Sequence, residues 1–189
     1  MSSFFDLINK YRRTAKTERE KGTYFELLCI KYFKNEPFYA DLFADVQTYI
    51  EWAKVQGLSG KDTGIDLVAT TKDGEFYAIQ CKLYDADRKV TKAEIDSFLS
   101  AASKTYFKRR IIVSTTHDWS DNALTTLENQ DPPVTKIDLD TLAQSAIDWS
   151  LFAEKKEVIF KKKKELRDHQ KAALTSTRIG LYDRQLDRG

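Results

Sequence analysis

The chain has 189 residues, of which 41% are hydrophobic and 12% aromatic, enough for a genuine core and too much for a disordered chain. Charged residues make up 32% but nearly cancel to a formal net charge of +2, so there is no global basic field and any nucleic-acid binding has to come from a local patch. The two cysteines, Cys29 and Cys81, form no metal-type pair and imply no disulfide framework, which makes a reducing cytoplasm the expected compartment.

The opening MSSFFDLINKYRR carries early charges and no long apolar run, and is expected to be neither a signal peptide nor a membrane span. Ser3 can cap a first helix there, with Phe4, Leu7, Ile8 and Tyr11 on one face. TEREKGTYFELLCIKYFKN predicts a longer helix with two possible starts, Thr17 with Glu20 and Thr23 with Glu26. PFYADLFADVQTYIEWAK is ambiguous, with residues 45–50 readable as a strand. GIDLVATT and EFYAIQCKL then read as two strands joined by a KDG turn. VTKAEIDSFLSAASKTYF has the marks of a helix: a Thr91–Glu94 capping box, a Val90–Ile95 staple, and Ile95, Phe98, Leu99 and Ala102 at helical spacing.

RRIIVSTT reads as a buried strand, SDNALTTLENQ as a helix capped by Ser120, VTKIDL as a strand and DTLAQSAIDWSLF as one last helix. The order α-β-β-β-α-β-α-β-α predicts an α/β fold with a central mixed sheet flanked by helices. There are no internal repeats and no Gly/Ser- or Pro-rich linker. From about Glu154 the composition shifts to a run of four lysines and then a fresh helical pattern. We therefore expect a first domain over residues 1–154 and a linker with the start of another domain over 155–189.

The chemistry concentrates in GKDTGIDLVATTKDGEFYAIQCKL. Strand alternation puts Gln80 and Lys82 on one face, with Ile79 and Cys81 on the other. Asp66 precedes them on the neighbouring strand, with Ile65 and Leu67 expected to point away from it. Where the polar faces coincide, Asp66 and Gln80 offer oxygens to a divalent cation, the Cys81 carbonyl offers another, and Lys82 offers a compact positive charge. Mg²⁺ or Mn²⁺ in such a place would serve phosphodiester hydrolysis. The plainer reading is a polar edge face with one charged pair. Three polar residues breaking apolar strands at offsets of 0, 14 and 16 favour a site.

Gly-Ile-Asp followed by Gln-x-Lys resembles the PD-(D/E)XK nuclease signature in the form typical of Mrr-like restriction endonucleases. The resemblance extends through KGTYFELLCIKYF, whose Gly-x-x-Phe-Glu resembles the family's first helix. It continues through VTKAEIDSFLSAA, RRIIVSTTHDWSDNAL and VTKIDLDTLAQ, in the family's order over roughly residues 20–150. It implies a restriction-endonuclease-like core that cuts double-stranded DNA with Mg²⁺. Asp66 would be the metal-binding carboxylate, Gln80 would replace the usual second acid, and Lys82 would be the catalytic lysine. Glu26 would be the first-helix acid, although the Thr23 capping box also accounts for it. The neutral Gln80 departs from the commonest pattern and implies weak metal binding by the free domain.

LRDHQKAAL resembles the opening of a superfamily 2 helicase motor, in which Gln170 would recognise the adenine of ATP; no phosphate loop follows within the sequence. A nuclease ahead of such a motor resembles the layout of single-polypeptide, ATP-dependent Type ISP restriction-modification enzymes. The implied partners are helicase and methyltransferase/target-recognition domains of the same polypeptide. Lys61, Lys89 and Lys92 are the expected DNA contacts, ahead of the runs KRR at 108–110 and KKKK at 161–164, each more easily a solvated face. His117 is expected to be a turn residue, and Tyr84, Trp119 and Trp149 to serve packing. A Holliday-junction-type resolvase and an inactive DNA-binding module are the alternatives.

Overall fold

The computed structural model describes residues 3–60, 64–85, 87–155, 158–161 and 167–183. Its centre is a five-stranded mixed sheet in the order β1-β2-β3-β4-β5, comprising β1 (Phe43–Thr48), β2 (Leu67–Thr71), β3 (Phe76–Lys82), β4 (Phe107–Ser114) and β5 (Val134–Ile137). The first three strands run antiparallel; β4 lies parallel to β3, and β5 parallel to β4. The strand expected near residues 45–50 is thus β1. It stops at Thr48, whose hydroxyl caps α4 (Tyr49–Val55) in a full capping box with Glu51.

Each face of the sheet carries its own apolar layer. Leu67, Ala69, Ile79, Cys81, Ile111 and Val113 pack with α1 (Ser3–Thr14), α2 (Glu18–Asn35) and α7 (Leu139–Gln144). Val68, Ala78 and Ile112 pack on the opposite face with α4 and α5 (Lys92–Ala101). The period of two along each strand produces this division. Tyr84, Trp119 and Trp149 are all buried. The Thr91–Glu94 capping box forms, and its staple residues Val90 and Ile95 are buried together. Short helices α3 (Pro37–Leu42) and α6 (Asp121–Leu127) complete the block.

Two local expectations change. Thr23 starts no helix: α2 is already capped by Thr17, and the Thr23 hydroxyl donates back to the Arg19 carbonyl inside it at 3.1 Å. Glu26 is therefore released from the capping role. DTLAQSAIDWSLF is not one helix but α7 and α8 (Trp149–Lys155), broken at Ser145. The break lets the 145–148 backbone pair with a later segment, through Asp148 N–H to Ile159 O at 2.6 Å and Lys161 N–H to Ala146 O at 2.8 Å. A continuous helix would have used the Asp148 N–H and the Ala146 carbonyl internally. Further on, α9 (Asp168–Asp183) has every residue from Asp168 to Arg178 exposed. Among the described residues, no helix is long and apolar enough to cross a membrane.

Candidate active site

The β2–β3 register, Leu67 opposite Ile79, places Asp66 beside Gln80 one step past the end of β2. The Asp66 backbone is held on both sides: its N–H donates to Ile79 O at 3.0 Å, and its carbonyl accepts from Tyr49 N–H at 2.9 Å. Its carboxylate Oδ2 accepts from Cys81 N–H at 2.6 Å, taking the place of a backbone rung. Gly64, at φ +85°, turns the chain immediately before. As a result Ile65 and Leu67 do not share a face, contrary to the sequence expectation. Leu67 packs under α2, whereas Ile65 packs in the α4–α5 layer. Regular alternation ends where a side chain replaces the backbone as acceptor.

Asp66 opens on a cleft of about 640 Å³, lined also by Ile65, the start of α4, and Arg19, Gly22, Thr23 and Glu26 of α2. Glu26 and Asp66, 40 positions apart in sequence, therefore meet in one concavity. The Cys81 thiol registers both. Burial pushes it well above its ordinary value, contact with Cys29 adds to this, and the charges of Asp66 and Glu26 add further. A strand residue's N–H and C=O leave on the same side. Since Cys81 N–H goes to Asp66 while Lys82 O accepts from Thr115 N–H at 3.1 Å, the Cys81 carbonyl faces the Asp66 edge.

Gln80 and Lys82 do not line that cleft. Gln80 is 1% exposed, and its Nε2 donates to the Gly64 carbonyl at 3.1 Å. Its Oε1 is buried with no hydrogen-bond partner among the described residues, a costly arrangement for an amide oxygen. Lys82 is half-buried, and its ammonium makes no ion pair or hydrogen bond among the described residues.

The chain just past Lys82 is tied down by contacts the sequence reading missed. Tyr84 N–H donates to Thr115 Oγ1 at 2.8 Å, and that hydroxyl donates to the Tyr84 carbonyl at 2.9 Å. Arg12 of α1 donates to the same carbonyl through Nε at 3.0 Å and through its terminal nitrogen, which also reaches Thr115. The Thr-rich exit of β4 was a visible signal for Thr115. Nothing local marked Arg12, whose partner lies 72 residues away.

The expected DNA contacts fare differently. Lys89 pairs with Asp118 at 3.4 Å and Lys92 with Asp96 at 2.7 Å, so each charge is matched on the protein itself. Lys61 lies outside the described residues, as do Lys162, Lys163 and Lys164 of the lysine run. Arg110 is no phosphate contact. It is 2% exposed and donates to Ala102 O, Gln130 Oε1 and Asp131 O. His117 lies 3.8 Å from Asp140. Gln170 is exposed and accepts from Arg167 N–H at 2.9 Å, serving as a cap to the start of α9.

The donor chemistry suits a hard cation. Asp66 and Glu26 share the cleft, the Cys81 carbonyl faces Asp66, and the orphaned Gln80 Oε1 lies buried one residue earlier on β3, all of them oxygen ligands. Among the described residues there is no group of three or more His, Cys, Asp or Glu fit to hold a metal, so neutral oxygens would have to complete any site.

Residues 34–159 match the family model of a restriction endonuclease catalytic domain of Mrr type. Asp66, Gln80 and Lys82 fall inside that span and Glu26 outside it. Among solved structures, the chain resembles the ATP-dependent Type ISP restriction-modification enzyme LlaBIII bound to DNA, at 34% identity and a TM-score of 0.73. That match covers 97% of this chain and 11% of the LlaBIII chain. MspJI restriction endonuclease in complex with a 27-mer oligonucleotide matches at 15% identity over 70% of this chain and 32% of that one; its TM-score of 0.32 carries no argument. No curated protein sequence matches. The matched span, the mixed sheet and the LlaBIII likeness agree, and the chain belongs to the restriction endonuclease family.

Proposed function

We propose that the chain is a metal-dependent endonuclease domain that hydrolyses DNA phosphodiester bonds within an ATP-dependent restriction enzyme. The observation that carries the proposal is the seating of the Asp66 carboxylate on Cys81 N–H, with Glu26 in the same cleft and the unpaired Gln80 Oε1 on the adjoining strand. Asp66, Gln80 Oε1, the Cys81 carbonyl and Glu26 would hold Mg²⁺, for which Mn²⁺ can substitute. When bound, the cation supplies Lewis-acid polarisation of the phosphoryl oxygen and acidifies water. Lys82 orients the attacking water and offsets the charge growing on the phosphorane oxygens. The water oxygen forms the new P–O bond, the P–O bond to the departing sugar oxygen breaks, and that oxygen takes up a proton. Arg12 and Thr115 hold the chain beyond Lys82 in place.

LlaBIII's description as ATP-dependent and DNA-bound supports placing this domain beside a helicase motor and methyltransferase/target-recognition domains in a cytoplasmic polypeptide. Gln170 would contact ATP only within that assembly. Supercoiled plasmid incubated with the chain and Mg²⁺ or Mn²⁺, with EDTA as control, tests the reading. Cleavage that disappears in EDTA and in Asp66→Asn supports it. Cleavage confined to branched DNA favours a resolvase, and binding without cleavage under either metal favours an inactive module.

A further inference from the structure

We infer that the cleft face of α2 seats a DNA phosphate, with Arg19 as its cation and Gly22 as the clearance that lets the DNA backbone approach beside Glu26. The inference rests on the nuclease reading; it adds Arg19, which lies outside the quoted motifs, and gives the motif's Gly22 a role.

Arg19, Gly22, Thr23 and Glu26 recur at helical spacing and form one stripe along α2, and all four line the cleft that holds Asp66. Arg19 is exposed, and its guanidinium makes no hydrogen bond or ion pair among the described residues. The acids beside it are engaged elsewhere. Glu18 pairs with Lys21 at 2.7 Å, and Glu20 accepts from the Tyr24 hydroxyl and from Lys16 N–H. Lys89 and Lys92, in contrast, already have carboxylate partners. The helix itself does not gain from Arg19, since a cation in the first turn opposes the helix dipole. A guanidinium fork matches two phosphate oxygens, and the lip of a cleft that ends on two carboxylates is where a phosphodiester would need one.

Gly22 adds a second, independent observation. Glycine inside a helix costs stability relative to alanine. The fold does not require it here. A Cβ at position 22 would meet only Glu26 Oε1, at 3.7 Å, an ordinary contact, and the backbone there is helical. The missing side chain instead widens the cleft between Arg19 and Glu26, as befits a place where another backbone comes close.

The test is fluorescence anisotropy of a labelled duplex with the full chain in Mg²⁺ over 50–200 mM salt. All proteins carry Asp66→Asn so that nothing is cut. Arg19→Ala should reduce the log K versus log salt slope by about one and weaken binding about 5–10-fold at 0.1 M salt, while Arg19→Lys keeps the slope. Gly22→Ala should raise Tm by about 1–4 °C and still weaken binding several-fold. A parent-like slope for Arg19→Ala, in a parent that binds DNA, overturns the inference and leaves the nuclease reading standing. A more stable Gly22→Ala with parent-like affinity removes the clearance role. A parent that binds no duplex overturns the nuclease reading and the inference with it.

Discussion

Gln80→Glu exchanges one atom group at a position that is 1% exposed. Without metal the change removes the donor that Nε2 offers to the Gly64 carbonyl at 3.1 Å and sets two acceptors against each other. Setting a carboxylate oxygen against that carbonyl at a buried position costs about 1–3 kcal/mol, and the buried charge adds to it. In a chain of this length each kcal/mol lowers Tm by about 2–4 °C, so the metal-free variant should melt about 2–12 °C below wild type. A divalent cation reverses the balance, because a carboxylate binds it through charge where the amide Oε1 binds through a dipole. Titration calorimetry with Mn²⁺ should then show at least about tenfold tighter binding, equivalent to about 1.4 kcal/mol, and Mn²⁺ should restore most of the lost Tm. Unchanged Mn²⁺ affinity would refute Gln80 as a ligand. Its buried oxygen would then belong to strand packing or to DNA.

Asp66→Asn keeps an oxygen for Cys81 N–H and should abolish plasmid cleavage at near wild-type stability in urea. Asp66→Ala orphans that N–H and should lose about 1–3 kcal/mol as well, so cleavage by the Asn variant or equal stability of the two would count against the assignment. Arg12→Ala should cost about 1–2 kcal/mol in urea denaturation, the lower part of the range for charged hydrogen bonds because the guanidinium is partly water-screened. Plasmid cleavage should slow as well, because the Tyr84 carbonyl it helps to hold lies two residues past Lys82; unchanged rate and stability would remove its positioning role. In acid the caps should fail. Burial works against the charge of Glu94, but hydrogen bonds from Thr91 and Arg88 outweigh it and hold the carboxyl below its ordinary value of 4.5; the Thr48 hydroxyl does the same for Glu51. A depressed carboxyl contributes stability above its ordinary value and loses it as pH falls through the folded one, so urea midpoints should hold from neutral pH to about 5 and drop below about 4.5. Glu94→Gln should flatten that drop, and an unchanged profile would show that this cap does not contribute.

Short-range physics made much of this protein legible in its sequence. The Thr91–Glu94 box and the alternation along β3 depend on residues a few positions apart, and the Gly-Ile-Asp/Gln-x-Lys spacing on two strands joined by one short turn, so they could be read before any fold was known. Four things depended on the tertiary structure. Glu26 had two readings, family acid or cap partner, until α2 proved to be capped at Thr17, with Glu26 lining the cleft that holds Asp66. The helix expected over DTLAQSAIDWSLF gave way because residues 158–161 claimed its Asp148 N–H and Ala146 carbonyl. Lys89 and Lys92 looked like free cations in the sequence, and folding matched them to Asp118 and Asp96. Arg19 was a plain helix residue, and Gly22 a motif position without a stated role, until α2 docked beside the end of β2. A local pattern fixes which groups a segment presents. What those groups meet is decided by contacts between segments distant in sequence, such as the Arg12–Tyr84 bond, whose partners only the packed sheet brings together.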